Sequence, residues 1–314
     1  MLCPSCNGTP RKFGKDRNGN QRYQCKPCKQ TYTDLPEKPL GAMRLPMEKA
    51  VFVLKLLLEG CSVRATCRLS GVSCDTVLAL LVHAGEKAKD LMESRLVNVK
   101  ADDVECDEIW GFVGCKQKTK EGLHPTKDEY GDAWCFIAFE ANTKLVLSWH
   151  VGKRTPIDTE CFMEKLQATV SSNRFQITTD GFKPYPNAIG SVFGNSVDYA
   201  QLIKTYGKSE DERRYSPPQI TDIEKNVVYG EPNDDRICTS YVERNNLNVR
   251  TFVRRMTRLT NGFSKKWENH EAALALFFAY SNFCRRHSTL RCTPAMAAGL
   301  TDHQWTIEEL LKAE

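Results

Sequence analysis

The chain has 314 residues, 41% of them hydrophobic and 26% charged, an ordinary globular balance with room for two or three domains and a sizeable core. The formal charge of +5 is too mild to argue for a polyanionic partner by itself, so that argument has to come from where the charge lies, which is toward both ends. No apolar run reaches the roughly 18 residues of a membrane span, and the first residues lack the apolar core of a signal peptide, which sets the expectation of a cytoplasmic protein.

Ten of the 14 cysteines, Cys67 and Cys74 among them, are scattered singly and read as reduced, mostly buried thiols. The other four form Cys3-Pro-Ser-Cys6 and Cys25-Lys-Pro-Cys28, two knuckles separated by a polar, hairpin-like stretch containing Asn18-Gly19. Paired knuckles at this spacing match a tetrahedral four-thiolate zinc ribbon, and a segment this short needs such a staple to fold, so Cys3, Cys6, Cys25 and Cys28 are expected to hold one structural Zn²⁺. Around them Arg11, Lys12, Lys15, Arg17, Arg22, Lys26 and Lys29 outnumber Asp16 and Asp34. Lys12 is therefore either a phosphate contact or part of a solvated charged hairpin.

After a Pro- and Gly-containing connector over 36–45, an apolar helix is expected over 47–59, ending at Gly60. Ser62 then caps 63–69, Ser70-Gly-Val turns the chain, and Ser73 caps a third helix to about 83, followed by a charged linker helix over 86–95. Helix, short Gly turn and capped helix is helix-turn-helix order; in that reading Ser73, Asp75 and Thr76 face DNA bases, although small helical bundles share the pattern.

A strand over 104–113 carries an acidic cluster, Glu105, Asp107 and Glu108, in its middle. A polar Lys-rich loop follows (Lys116, Lys118, Lys120), then strands over 134–140 and 144–150, a helix over 158–170, and a strand over 175–180 that ends in Asp180-Gly181. That ending puts a carboxylate at the lip of a sheet, where open α/β sheets bind ligands. A short helix over 186–193, a strand over 197–206 and an irregular polar stretch over 208–237 complete the order βββαβαβ, which implies a mixed sheet with helices on its faces.

The next helix is capped by Thr239 or Ser240, and its apolar residues recur at helical spacing from Val242 to Leu259. Glu243 lies off that apolar set, with Arg250, Arg254 and Arg258 seven, eleven and fifteen residues on, so all four are expected on roughly one side. A carboxylate leading a row of guanidiniums suits a site that holds a divalent metal and keeps a nucleic-acid backbone beside it; a charged surface helix is the plainer alternative. From Arg250 to Arg291 nine Lys/Arg face two acids, a composition that suits a DNA channel. Residues 274–283 read as core, and His287, after Arg285-Arg286, is either a phosphate or site contact or a helix-terminal histidine satisfied by the dipole.

Asp107-Glu-Ile-Trp-Gly-Phe-Val, Thr179-Asp180-Gly-Phe and Val242-Glu243-Arg-Asn-Asn-Leu, in this order behind a zinc ribbon and a helix-turn-helix, resemble the DDE transposases of the insertion sequence 1 family. The resemblance covers nearly the whole chain, including Tyr280-Ser-Asn-Phe-Cys-Arg-Arg-His287 and Thr293-Pro-Ala near the end. It implies an α/β fold: a ribonuclease H-like mixed sheet with helices over 100–290, preceded by a zinc ribbon over 1–36 and an all-α helix-turn-helix domain over 44–95, and closed by a helical tail over 291–314. It also implies a catalytic triad of Asp107, Asp180 and Glu243 on two Mg²⁺ or Mn²⁺ ions, with Arg250 in the place of a basic residue. The implied activity is binding of insertion-sequence ends followed by strand cleavage and strand transfer. Double-stranded DNA, as terminal repeats and target, is the implied partner, with a homodimer or higher oligomer on nucleoid DNA. Within the acidic strand, Glu105 and Glu108 are alternative ligands to Asp107. An inert DNA-binding repressor and a nuclease that cuts without joining are the alternative functions. In the best-known members the two halves lie in two reading frames, whereas here they are continuous.

Overall fold

In the computed structural model the described residues are 2–17, 19–33, 38–207 and 219–313, and they belong to two compact units, Met1–Ala42 and Met43–Glu314. Asn18 of the expected turn, part of the connector and residues 208–218 lie outside the described residues. The first unit is a small antiparallel sheet of β1 (Pro10–Lys15), β2 (Gln21–Cys25) and β3 (Thr31–Thr33), in that order.

The second unit opens with α1 (Met47–Leu58), α2 (Val63–Ser70) and α3 (Cys74–Arg95). Ser62 and Ser73 cap as expected, accepting from the Ala65 and Thr76 N–H groups at 3.2 Å each. Gly71 ends α2 at φ 67°, a left-handed turn that costs glycine little. Helices α2 and α3 then cross at 112°, within the helix-turn-helix range of about 90–120°. Two expectations change here. Helix α3 does not stop near 83 but runs to Arg95, because Gly85 sits inside it where a Cβ would come within 2.5 Å of Ala272; the glycine serves close helix packing, not termination. Cys67 and Cys74 are not separate thiols but form a disulfide across the α2–α3 turn, with Cα atoms 5.5 Å apart.

The remaining strands are β4 (Asp103–Val113), β5 (Gly131–Glu140), β6 (Val146–Gly152), β7 (Phe175–Thr179), β8 (Val197–Gly207) and β9 (Gln219–Tyr229). Among the described residues they form one sheet in the order β6-β5-β4-β7-β8-β9. The meander β4-β5-β6 is antiparallel, β7 and β8 run parallel to β4, and β9 returns antiparallel to β8; the core of this order is a ribonuclease H-like sheet. Helix α4 (Gln117–Leu123) follows β4, α5 (Pro156–Thr169) follows β6, α6 (Tyr185–Phe193) follows β7, and α7 (Ser240–Phe252), α8 (Trp267–Ala279), α9 (Pro294–Ala297) and α10 (Ile307–Lys312) close the chain. Helices cover both faces. Phe136 of β5 packs on Phe162 of α5, while Trp149 of β6 packs on Phe278 of α8 on the opposite face. Leu274, Ala275, Leu276, Phe277, Phe278 and Phe283 are buried, as expected of core.

Three further expectations are corrected. The Lys-rich loop contains α4, a helix with no buried residue and hence no apolar periodicity to betray it. The irregular stretch contains β9, an edge strand whose side chains from Ile220 to Val227 are exposed, so charges such as Asp222, Glu224 and Lys225 break the alternation. Helix α7 ends at Phe252, and Arg254–Met256 form a separate 3₁₀ turn, leaving Leu259 84% exposed. Arg250 donates to the Met256 carbonyl and Thr257 Oγ1 to the Arg250 carbonyl across this break, and the α1–α2 turn at Gly60 packs beside it, where a Cβ would be 2.8 Å from the Thr251 carbonyl oxygen.

Candidate metal centres

In the first unit, Cys3 and Cys25 come from buried and Cys6 and Cys28 from exposed positions, and their four sulfurs lie within 4.8 Å of one another. Two separations are 3.7 Å (Cys3–Cys28) and 3.4 Å (Cys6–Cys25). A tetrahedron of sulfurs about 2.3 Å from a zinc ion has edges of about 3.8 Å, so the donor set fits Zn²⁺. The two knuckles are built alike. Asn7 and Lys29, each just after a second cysteine, are left-handed (φ 55° and 63°), and each donates its N–H to the first cysteine's carbonyl. Backbone N–H groups of Ser5 and Cys6 bring the Cys3 thiol down to about 7, whereas burial pushes the Cys25 thiol up to about 12. Lys12 stands exposed on β1.

In the second unit the sheet itself gathers the acids. Strands β4 and β7 are parallel neighbours in the register Cys106↔Thr179, so the next residues, Asp107 and Asp180, stand side by side. Asp107 accepts hydrogen bonds from the Glu108 N–H and from Asn246 Nδ2 of α7, both at 2.8 Å. Asp180, just past its strand, accepts from the Phe182 N–H at 2.9 Å and keeps its side chain 42% exposed. Carboxylate oxygens of Asp107, Glu108 and Asp180 lie within 4.8 Å of one another. Burial, reinforced by Asp180, pushes Asp107 up to about 7, and Glu108 is raised to about 7 for the same two reasons. Such a cluster has less positive charge than it needs, which is the condition a divalent cation relieves.

Glu243 comes from the first turn of α7 and stands outside that group of three, although its charge contributes to the rise at Asp107. Its Oε1 accepts from Thr239 Oγ1 at 2.7 Å and is ion-paired with Lys204 of β8. The two alternative acids have other partners. Glu105 is fully buried, and its Oε2 accepts the Val242 N–H at 2.8 Å; it caps α7, a role expected of Thr239 or Ser240 but made by neither side chain. Glu108 points to the other face of β4, where its Oε2 meets Arg154.

The basic candidates are dispersed. Arg250 is half-buried and donates to the backbone carbonyls of Met256 (2.7 Å) and Trp110 (2.9 Å), bracing the turn after α7; burial lowers it to about 10. Arg254 and Arg258 are exposed beyond the helix end, so the row of four on one helix side does not form. Asp75 and Arg254 line one cleft of about 1220 Å³, together with Arg64, Lys265 and Lys266. Ser73 is exposed, but its hydroxyl is 2.8 Å from that of Thr76, which is half-buried. His287 does not terminate a helix; it lies in a turn closed by its N–H to the Cys292 carbonyl, and burial with nearby Lys144 lowers its pKa. Two residues of the site were missed in the sequence, Arg154 and Lys204. Arg154 lies just past β6 and Lys204 within β8, and only the folded sheet brings them to the acids.

No family model matches the sequence. The structure is similar to that of piggyBac transposase in a synaptic complex with hairpin DNA, with a TM-score of 0.38 and 10% identity over 88% of this chain and 72% of that one.

Proposed function

We propose that this chain is a DDE-type transposase that binds the ends of a mobile element and catalyses metal-dependent DNA strand cleavage and strand transfer. The observation that supports this reading most is the β4–β7 register, which sets Asp107 against Asp180 at the end of a parallel strand pair, with α7 carrying Glu243 from across the site. The hard carboxylates of Asp107 and Asp180, neighbours in the acid cluster, fit Mg²⁺ or Mn²⁺. Asp107 and Asp180 would hold two such ions, with Glu243 joining on release from Lys204. When bound, they supply Lewis-acid activation of the attacking and leaving oxygens of a phosphodiester. The chain's own part is orientation: Asn246 and the Glu108 N–H fix the Asp107 carboxylate, and the Phe182 N–H fixes Asp180. Lys204 and Thr239 hold Glu243 ready at the rim.

In the same reading Cys3, Cys6, Cys25 and Cys28 hold Zn²⁺, the ribbon and α2–α3 grip double-stranded DNA, and the basic cleft beside α3 takes its backbone, with a dimer spanning the two ends. The test is an assay of cleavage and joining on labelled duplexes carrying the sequences that flank the coding region. Asp107→Asn, Asp180→Asn and Glu243→Gln are each expected to abolish both steps while leaving DNA binding intact. Near-wild-type joining by Asp180→Asn would remove the assigned site.

A further inference from the structure

Asp107, Asp180 and Glu243 leave one acid of the cluster to account for. The Glu108 side chain is only 1% exposed, and a carboxylate so buried needs a counter-charge. Arg154, just past β6, provides it: Nε and Nη2 both reach Glu108 Oε2, at 3.0 and 2.9 Å. The guanidinium also lies over two rings, its carbon 4.8 Å from the ring centre of Trp134 and 4.1 Å from that of Phe182. Residues from β4, β5 and the turn after β7 thus fix one cation. They fix it with Nη2 3.9 Å from Asp180 Oδ2 and with 35% of the side chain still open to solvent. Beside it lies a cavity of about 360 Å³ that Lys120 and Lys153 share with Asp128 and Asp132. Mere neutralisation of Glu108 requires neither two aromatic contacts nor an open edge beside a second carboxylate. A planar fork immobilised in advance loses little freedom on meeting a phosphate, whose oxygens match its geometry.

We infer that Arg154 is a phosphate-binding residue of the site, its open edge taking a non-bridging oxygen of the DNA backbone beside Asp180, and that Glu108 is the positioning residue that fixes it and not a metal ligand. The inference rests on the DNA-processing reading above. Its test has two arms on the full chain: Mn²⁺ binding by calorimetry without DNA, and single-turnover cleavage of a duplex in Mn²⁺. Arg154→Ala, Arg154→Lys and Glu108→Gln should keep Mn²⁺ affinity within about threefold. Cleavage should fall roughly 100-fold for Arg154→Ala, the usual scale for losing one charge-stabilising donor. It should fall about tenfold or more for Arg154→Lys and Glu108→Gln, since a lysine has no fork and an uncharged Glu108 loosens the clamp. The double variant Arg154→Met/Glu108→Gln removes the buried charge along with its partner, guards against misfolding of the single alanine variant, and should cut as slowly as it. Loss of Mn²⁺ affinity in Glu108→Gln but not in Arg154→Ala would make Glu108 a ligand and overturn the inference, as would wild-type cleavage by Arg154→Lys. A wild-type protein that binds no Mn²⁺, or binds it and cuts no DNA, removes the proposed function itself, a result distinct from either.

Discussion

Asp107 illustrates how a site can be built at the expense of stability. Its folded-state pKa of about 7 lies above the ordinary 3.8, and Glu105 and Glu108 are raised to about 7 from 4.5. For acids raised in this way the folded protein binds more protons than the unfolded chain; the stability this lends is complete below about pH 4 and is lost as pH rises through about 7. Buried His270, lowered to about 4, acts in the opposite sense, but only below its ordinary 6.5. Between pH 6.5 and 8 the raised acids act together, and the protein without Mn²⁺ should lose melting temperature as pH rises and regain it when Mn²⁺ is added. Asp107→Asn in EDTA at pH 8 should melt higher than wild type, by on the order of 2 kcal/mol of stability. A variant that melts lower would mean that Asp107 is already compensated. Arg250 gives the contrasting case. Because its guanidinium is engaged with two backbone carbonyls, Arg250→Ala should destabilise by about 1.5–3 kcal/mol while leaving the salt dependence of DNA binding unchanged. Denaturant unfolding and a salt titration separate the two effects, and a shallower salt slope at unchanged stability would return Arg250 to the DNA contacts.

At the scale of elements, the zinc proposed for the four cysteines would be what folds the first unit: metal analysis should then find one zinc per chain, and Cys25→Ser should lose it and unfold that unit, with protease nicking confined to the first 42 residues. Zinc retained by Cys25→Ser would remove that cysteine from the site. Elements that carry their own local signal were legible in the sequence. Strands β4, β5 and β7 are apolar or alternating runs, β7 being buried at all five positions, and helices α2 and α3 begin at Ser62 and Ser73, which carry the start signal in a single residue. Elements stabilised from outside were not. Helix α4 buries nothing, β9 is exposed from Ile220 to Val227, and the start of α7 is capped by Glu105 from another strand. The candidate site divides in the same way. Asp107 and Asp180 were readable because strand position places them, whereas Arg154 and Lys204 reach the acids only through pairings of strands far apart in the chain.

For the whole second unit, the length of α3 has a consequence of its own. Its 22 residues make a rod of about 33 Å, close to one turn of duplex DNA at about 34 Å. The first turn of that rod carries residues proposed to read bases, and farther along it Gly85 is wedged against Ala272 of α8, so no flexible joint is built into the helix between that turn and its packing on α8. In the proposed function a reader joined in this way would act as a ruler: the cut should fall a constant number of base pairs from the recognised sequence. Inserting about five base pairs, half a turn, between that sequence and the natural junction should move the cut into the insert at its original offset. Cleavage that stays at the junction would mean that the enzyme finds its target bond by some other feature of the DNA.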